Sequence, residues 1–160
     1  GCFDGQGYTI NGLYMSESSL SYGGLFGYTD TTAIIQRVGV DYSYFYGNQY
    51  VGAICGYNNG KTENCYSLYT VIMGASYVGG ITGYNNGTVN NCYNAGVVNA
   101  TNYIGGIAGQ KASSSVISNC YYLINSATDG NNTAQNGVGN SENGAVTADI
   151  STQTQVHYLQ

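Results

Sequence analysis

One phrase recurs along this chain and limits what it can fold into. Tyr50-Val51-Gly52-Ala53-Ile54-Cys55-Gly56 returns as Tyr77-Val78-Gly79-Gly80-Ile81-Thr82-Gly83, then as Tyr103-Ile104-Gly105-Gly106-Ile107-Ala108-Gly109. A shorter copy, Tyr22-Gly23-Gly24-Leu25-Phe26-Gly27, precedes them. The closing glycines follow one another at 29, 27 and 26 residues. A second phrase trails the last three copies: Asn64-Cys65-Tyr66, Asn91-Cys92-Tyr93 and Asn119-Cys120-Tyr121. Repeats of this length mean one supersecondary unit per copy, each burying its apolar side against the next.

Composition says which unit. Tyr, Val, Ile and Thr are frequent, Pro and Trp are absent, and Gly reaches 25, a profile of strands joined by tight corners. Charged residues make up 7% of the chain, against about 25% in an average domain. The net charge is −5 and the only basic residues are Arg37, Lys61 and Lys111, so a surface that tracks nucleic-acid phosphates or anionic lipid is excluded. No apolar run approaches the length of a membrane helix, and membrane insertion is not expected. The opening Gly1-Cys2-Phe3-Asp4-Gly5 reads as the middle of a rung. The chain is therefore expected to be a mature or excised piece with any export signal upstream.

The third copy shows how one rung is built. Tyr77 to Gly83 reads as a short strand with Ile81 inward, and Tyr84-Asn85-Asn86-Gly87 as a turn in which Asn-Gly accepts positive φ. In Thr88-Val89-Asn90-Asn91-Cys92-Tyr93, Val89 and Cys92 are three apart, so both point inward only if the chain bends near Asn90-Asn91. Gly96 to Ala100 closes the circuit as a third strand. The expected fold is all-β: a right-handed parallel β-helix (β-solenoid) of 26–29 residues per rung and four to five rungs, spaced about 4.8 Å apart. Leu25, Ile54, Ile81 and Ile107 form one inward stack. Ile35, Thr62, Val89 and Ile117 form another, and Val38, Cys65, Cys92 and Cys120 a third. From Gly27 to Val38 and from Gly109 to Cys120 the chain runs two residues longer than in the middle copies. Those extra residues belong in the turn, where they cost little. Asn64, Asn91 and Asn119 line one corner and are expected to pair their amides as a ladder.

Residues 1–125 are read as the solenoid. Phe3 to Tyr14 is an earlier rung and Met15 to Ser21 a polar loop. Residues 126–160 are rich in Asn, Gly, Ser and Thr without a period, and read as a loop. Val146 to Leu159 is a capping segment or an extra strand.

These motifs resemble the GLUG-motif repeats of bacterial secreted and cell-surface proteins. Gly24-Leu25-Phe26-Gly27 is the motif itself; Gly80-Ile81-Thr82-Gly83 and Gly106-Ile107-Ala108-Gly109 are variants, and Ala53-Ile54-Cys55-Gly56 departs at its first glycine. The lead-in Phe3 to Ile10 and the trailing Asn119-Cys120-Tyr121-Tyr122 fit the same pattern, so the resemblance covers residues 3–125. It implies a β-helix on large secreted or wall-attached proteins, adhesin-like proteins among them. Such repeats also occur in metallopeptidases that cleave immunoglobulin A. It supplies no catalytic residue.

The residues themselves carry little chemistry. Asp4, Glu17, Asp30, Asp41, Glu63, Asp129, Glu142 and Asp149 neither recur at one repeat position nor pair closely, so two-carboxylate glycoside hydrolysis has no support. The single His157 reads as a surface or capping residue, and no His-Glu-x-x-His is present. Catalysis, a metal and a cofactor are not expected. The cysteines pack as small buried thiols or bridge adjacent rungs; three stacked thiols allow one bridge at a time. The tyrosines are the stronger lead. Tyr50, Tyr77 and Tyr103 share one position, Tyr28, Tyr57 and Tyr84 another, and Tyr66, Tyr93 and Tyr121 a third. Outward rows suit sugar rings or protein partners, while stacked rings also stabilise the sheet by themselves. The expected role is a non-catalytic extracellular or cell-surface module, structural or adhesive. Its partners would be host glycans, host proteins or copies of itself. One alternative is a fibre subunit that stacks end to end or exchanges strands; another is an accessory domain of a secreted hydrolase.

Overall fold

A computed structural model describes residues 1–139 and the backbone of Val146–Ile150. Among these residues all regular structure is β, and the chain coils as a β-solenoid of about four turns. Four parallel sheets run along the coil, where three strands per rung were expected. The first holds Cys2–Asp4, Ile34–Gln36, Lys61–Glu63, Thr88–Asn90 and Val116–Ser118. The second is built on Thr9–Asn11, Gly39–Asp41, Tyr66–Met73, Tyr93–Ala100 and Cys120–Leu123. The third holds Gln49–Gly52, Ser76–Gly79 and Asn102–Gly105, and the fourth Phe26–Thr29, Cys55–Asn58, Thr82–Asn85 and Ala108–Lys111. The extra sheet arises because the repeated phrase is two strands: the chain breaks at Gly80-Ile81, between Ser76–Gly79 and Thr82–Asn85.

That break is a corner too tight for side chains. A Cβ on Gly79 would lie 2.1 Å from the Thr82 carbonyl oxygen, and one on the equivalent Gly105 2.0 Å from that of Ala108. Neither glycine has positive φ, so close approach, not conformational freedom, selects glycine here. The left-handed residues stand elsewhere. Tyr50, Tyr77 and Tyr103 have φ of 54°, 58° and 53°, and Asn64, Asn91 and Asn119 of 55°, 52° and 50°. Asn tolerates this region; Tyr adopts it at a cost of roughly 1–2 kcal/mol.

The interior follows the inward stacks. Ile54, Ile81 and Ile107 are fully buried with Leu25 packed against them, and Val38, Cys65, Cys92 and Cys120 are equally enclosed. Ile35, Thr62, Val89 and Ile117 stand in strict register. Each such isoleucine, withdrawn from water, stabilises the coil by about 1.5–3 kcal/mol.

Polar residues enter this core where none was expected. Asn58 and Asn85, read from sequence as turn residues, are completely buried ends of fourth-sheet strands. The Asn58 amide donates to Asn85 Oδ1 at 2.9 Å and accepts from Thr29 Oγ1 at 3.0 Å. Asn85 Nδ2 donates to the carbonyls of Gly87 and Val116 at 3.3 and 3.1 Å. A corner leaves backbone carbonyls inside the coil, and these amides satisfy them. Asn94 does the same at the next corner, donating to the Gly106 carbonyl at 3.0 Å and accepting from the Gly96 N–H at 2.9 Å. The Asn86-Gly87 turn has no positive φ. Its glycine is required because a Cβ would strike the Gly60 carbonyl at 2.0 Å.

Rung length exceeds 26–29 residues at the first turn and again at the Ala108–Val138 bridge, whose partners are 30 residues apart. Cys2 pairs with Ile34, 32 residues on, whereas Ile34 pairs with Lys61 and Lys61 with Thr88 at 27. Surplus residues lie in the Gln6-Gly7 corner, in the Glu17–Leu20 loop and in the Asp30–Ala33 turn. That last turn and Ala112–Ser115 each close with a backbone bond, and both hold the two extra residues assigned to this position. Met15, expected in a loop, lies in the strand Tyr14–Ser16 opposite Phe45 and packs on the core. Beyond residue 125 the coil continues: Ala127–Asp129 pairs with Val98–Ala100, Val138 bridges Ala108, and Val146–Ile150 lies beside Cys120–Leu123. His157 and the segments 140–145 and 151–160 lie outside the described residues.

Candidate functional site

Two surfaces collect the residues that sequence singled out. The first is aromatic. Tyr50 stacks on Tyr77 at 4.9 Å and Tyr77 on Tyr103 at 4.6 Å, with ring planes within 16° and 3°. Tyr22 extends this row beyond Tyr50 at 5.4 Å; its signal was its place at the head of the shorter first copy. Tyr28, Tyr57 and Tyr84 form the second row, at 5.5 and 4.8 Å. The rows interlock edge to face, as in Tyr50–Tyr57 at 5.3 Å and Tyr77–Tyr84 at 6.1 Å. Each ring therefore spends its faces on its neighbours along the coil. Row ends such as Tyr28 and Tyr103 are exposed, while Tyr50, Tyr57, Tyr77 and Tyr84 are half-buried. What most of this sheath offers a partner is ring edges and hydroxyls, a poorer platform for a stacked sugar than free rings.

The stacking explains the strained tyrosines. Each ring pair contributes about 0.5–1.5 kcal/mol beyond its buried area, enough with two neighbours to offset the left-handed backbone. Burial, then the neighbouring phenols, raises the Tyr50 and Tyr57 hydroxyl pKa above the ordinary value. At Tyr77, alanine removes both stacks and keeps the strain, whereas glycine removes both and relieves it. Tyr77→Gly is therefore expected to be the more stable variant by about 1 kcal/mol, the reverse of the usual Ala–Gly order in strands. Urea denaturation of the two variants measures the difference, and equal midpoints would discount backbone strain at this position.

The second surface is a groove between the Asn and Tyr columns of the trailing phrase. One part, about 460 Å³, is lined by Gly7, Arg37, Asn64, Cys65, Tyr66, Asn91 and Tyr93. A further 290 Å³ is lined by Asn91, Cys92, Tyr93, Asn119 and Tyr121. Asn91 and Tyr93 are common to both, so the groove runs along the coil across successive rungs. The left-handed corner turns the Asn side chains outward. Asn91 Nδ2 donates to Asn64 Oδ1 at 3.3 Å, as the ladder expectation requires, but Asn119 Nδ2 bonds Asn90 Oδ1 at 3.4 Å instead. Opposite, Tyr66 and Tyr93 stack at 5.2 Å and 5°. Tyr93 is 6% exposed, and with Leu68 and Ala95 it forms a small satellite core bordered by Tyr66, Tyr121 and Leu123. Tyr66 lies over Gly39, where a Cβ would be 2.0 Å from its ring, and its hydroxyl pairs with Thr9 Oγ1.

Charge is nearly absent from this groove. Of its lining residues only Arg37 is of a charged type, and Arg37 is paired with Asp4, Nε to Oδ1 at 2.9 Å. The Arg37 bonds, followed by the Gln6 backbone N–H, hold the Asp4 carboxyl well below the usual carboxylate range. The cysteines under the groove are thiols: Cys65, Cys92 and Cys120 donate to the carbonyls of Glu63, Asn90 and Ser118 at 3.2, 3.3 and 3.2 Å. Burial pushes Cys55, deep in the fourth sheet, up to about 12.

Among the described residues no group of three or more His, Cys, Asp and Glu is placed to hold a metal ion, and no helix is long and apolar enough to cross a membrane. No family model matches the chain, and no solved structure matches it. Among curated proteins it is similar to Halomucin of Haloquadratum walsbyi, 34% identical over 71 residues. That stretch is 44% of this chain and 1% of Halomucin, so the chain spans about a hundredth of that protein's length.

Proposed function

We propose that this chain is a non-catalytic module of an extracellular or cell-surface protein, structural in its coil and adhesive through its Asn/Tyr groove. The observation that carries this reading is the groove itself. It repeats the same amide and phenol on successive rungs, with one charged residue that is already paired. Outward amides in fixed geometry suit an uncharged, hydroxyl-rich partner, because each can both donate and accept, while the tyrosines form the opposite wall with the Tyr66 hydroxyl already paired to Thr9. A repeating lining favours an extended glycan laid along the coil over a compact ligand. The groove opens at a corner between sheets, away from any strand edge, which disfavours a peptide added as a strand. The partial match to Halomucin, a surface protein, is compatible with a cell-surface location, and the GLUG-type phrases point the same way.

The test is binding of the chain to arrays of neutral and acidic glycans, with host extracellular proteins alongside. Asn64→Gly and Asn91→Gly remove the outward amides while keeping the positive φ. Binding of neutral glycans that falls tenfold or more in the double variant, with unchanged stability, is the expected result. Binding to none of the glycans, or equal binding by the double variant, would overturn the adhesive reading.

A further inference from the structure

The thiol column beneath the groove is chemistry that the adhesive reading leaves unused. Cys65, Cys92 and Cys120 occupy one position on three successive rungs, each beside an in-register strand pair. Their rotamers agree, since each thiol donates to the carbonyl two residues before it and approaches a carbonyl of the previous rung at 3.8–3.9 Å. In-register parallel strands hold such Cα atoms about 4.8 Å apart, inside the roughly 4.4–6.8 Å window of a disulfide. Cys92 interacts with both Cys65 and Cys120. All three are enclosed, but Cys65, 1% exposed, borders the larger part of the groove and Cys92 the smaller part, whereas Cys120 borders neither.

We propose that Cys92 is the centre of a disulfide-forming site with two possible partners, and that Cys65, reached through the groove, is the partner it takes. The reagent is a small-molecule disulfide of the kind present in oxidising extracellular compartments. Cys65 attacks one sulfur of that disulfide. A new S–S bond forms at Cys65, the reagent's own S–S bond breaks, and one half leaves as a thiol carrying the proton lost from Cys65. Cys92 then attacks Cys65 Sγ, gives up its proton and expels the second half as a thiol. Two protein thiols are oxidised, and one external disulfide is reduced to two thiols. The division of labour fits the thiols' surroundings. Hydrogen bonding to Cys92 favours the thiolates of Cys65 and Cys120 alike, so the groove beside Cys65 selects the attacker, whereas full burial keeps Cys92 protonated until its neighbour is activated. One thiol of the three is always left over, because Cys92 can bond only once. This inference stands apart from the glycan reading, since its chemistry needs no bound sugar.

The experiment uses the full chain carrying Cys2→Ser, which removes the exposed thiol and its mixed disulfides. Folded protein is incubated with excess oxidised glutathione, denatured with a blocking alkylator and mapped by mass spectrometry. The expected product is a Cys65–Cys92 linked peptide, reversible by reductant, with Cys55 and Cys120 alkylated. Cys120→Ser should leave that bridge intact, Cys65→Ser should shift it to Cys92–Cys120, and Cys92→Ser should abolish it. Circular dichroism establishes that each variant is folded. Absence of a linked peptide in folded protein would overturn the site. So would a bridge that survives Cys92→Ser, or Cys120 as the preferred partner when Cys65 is present.

Discussion

Gly79→Ala is expected to leave little folded protein, although it adds one methyl group at a position of ordinary φ. The new Cβ would sit 2.1 Å from Thr82 O, 2.6 Å from Ala108 Cα and 2.7 Å from the Gly109 nitrogen. All three are backbone atoms, one in its own corner and two in the next rung. A side chain could swing aside; these atoms move only if the two rungs separate, which breaks the parallel bonds on either side. Overpacking that side chains can absorb costs about 1–3 kcal/mol, so a loss at or above the top of that range is expected. Gly130→Ala is the control, because nothing lies within 4 Å of its added Cβ and its φ is not positive. Urea denaturation should give a near-native midpoint for Gly130→Ala and a collapsed one for Gly79→Ala. Similar midpoints would show that the corner is looser than its geometry.

Asn85→Leu is expected to be nearly as damaging, for the opposite reason: the new side chain fits the volume but supplies no hydrogen bonds. Asn85 accepts from Asn58 Nδ2 and the Gly87 N–H and donates to the Gly87 and Val116 carbonyls, all inside the coil. Leucine strands the Gly87 N–H and takes a donor from the Val116 carbonyl, while Asn58 Nδ2 keeps the Gly60 and Thr88 carbonyls and the Gly87 carbonyl keeps the Val116 N–H; the cost is about 1–3 kcal/mol for each buried group so stranded. A total loss of about 3–5 kcal/mol follows if the coil does not admit water. The chain contains its own milder substitute. Thr29 holds the equivalent position one rung before Asn58, where its hydroxyl donates to Asn58 Oδ1 and accepts from the Asn59 N–H. Asn85→Thr should therefore recover part of the loss, and thermal melts of the two variants measure how much. If Leu proved as stable as Thr at this position, the amide column would be packing material alone.

The second prediction falls on a residue that sequence reading placed differently, and the difference is instructive. Ile54, Ile81 and Ile107 were legible as core because an apolar residue at a fixed repeat position has one sensible destination. Asn58 and Asn85 were not, because Asn-Asn-Gly is a good turn signal whether the first Asn faces water or the core. The choice is made by carbonyls that the corner turns inward, and those exist only once neighbouring rungs have stacked. The same holds for the tyrosines. Their rows could be read from the repeat, but the coverage of each ring by the next depends on the rung spacing and on left-handed backbone at Tyr50, Tyr77 and Tyr103. The groove was half visible: its Asn and Tyr columns and the bend near Asn90-Asn91 were read from the repeat, yet the cleft between the columns, with Arg37 and Asp4 paired at one end, came from the fold.

The sequence by itself determined the period, the all-β parallel coil, the Ile and Cys columns and the turns that absorb extra residues. These follow from local rules repeated in register, and each copy carries the full instruction. Only the tertiary structure decided which asparagines are buried, which residues take positive φ, where the rung divides into four sheets and which ring faces remain free. Those are settled between rungs, where backbone atoms of one turn meet those of the next, and a single copy of the repeat does not contain its neighbour.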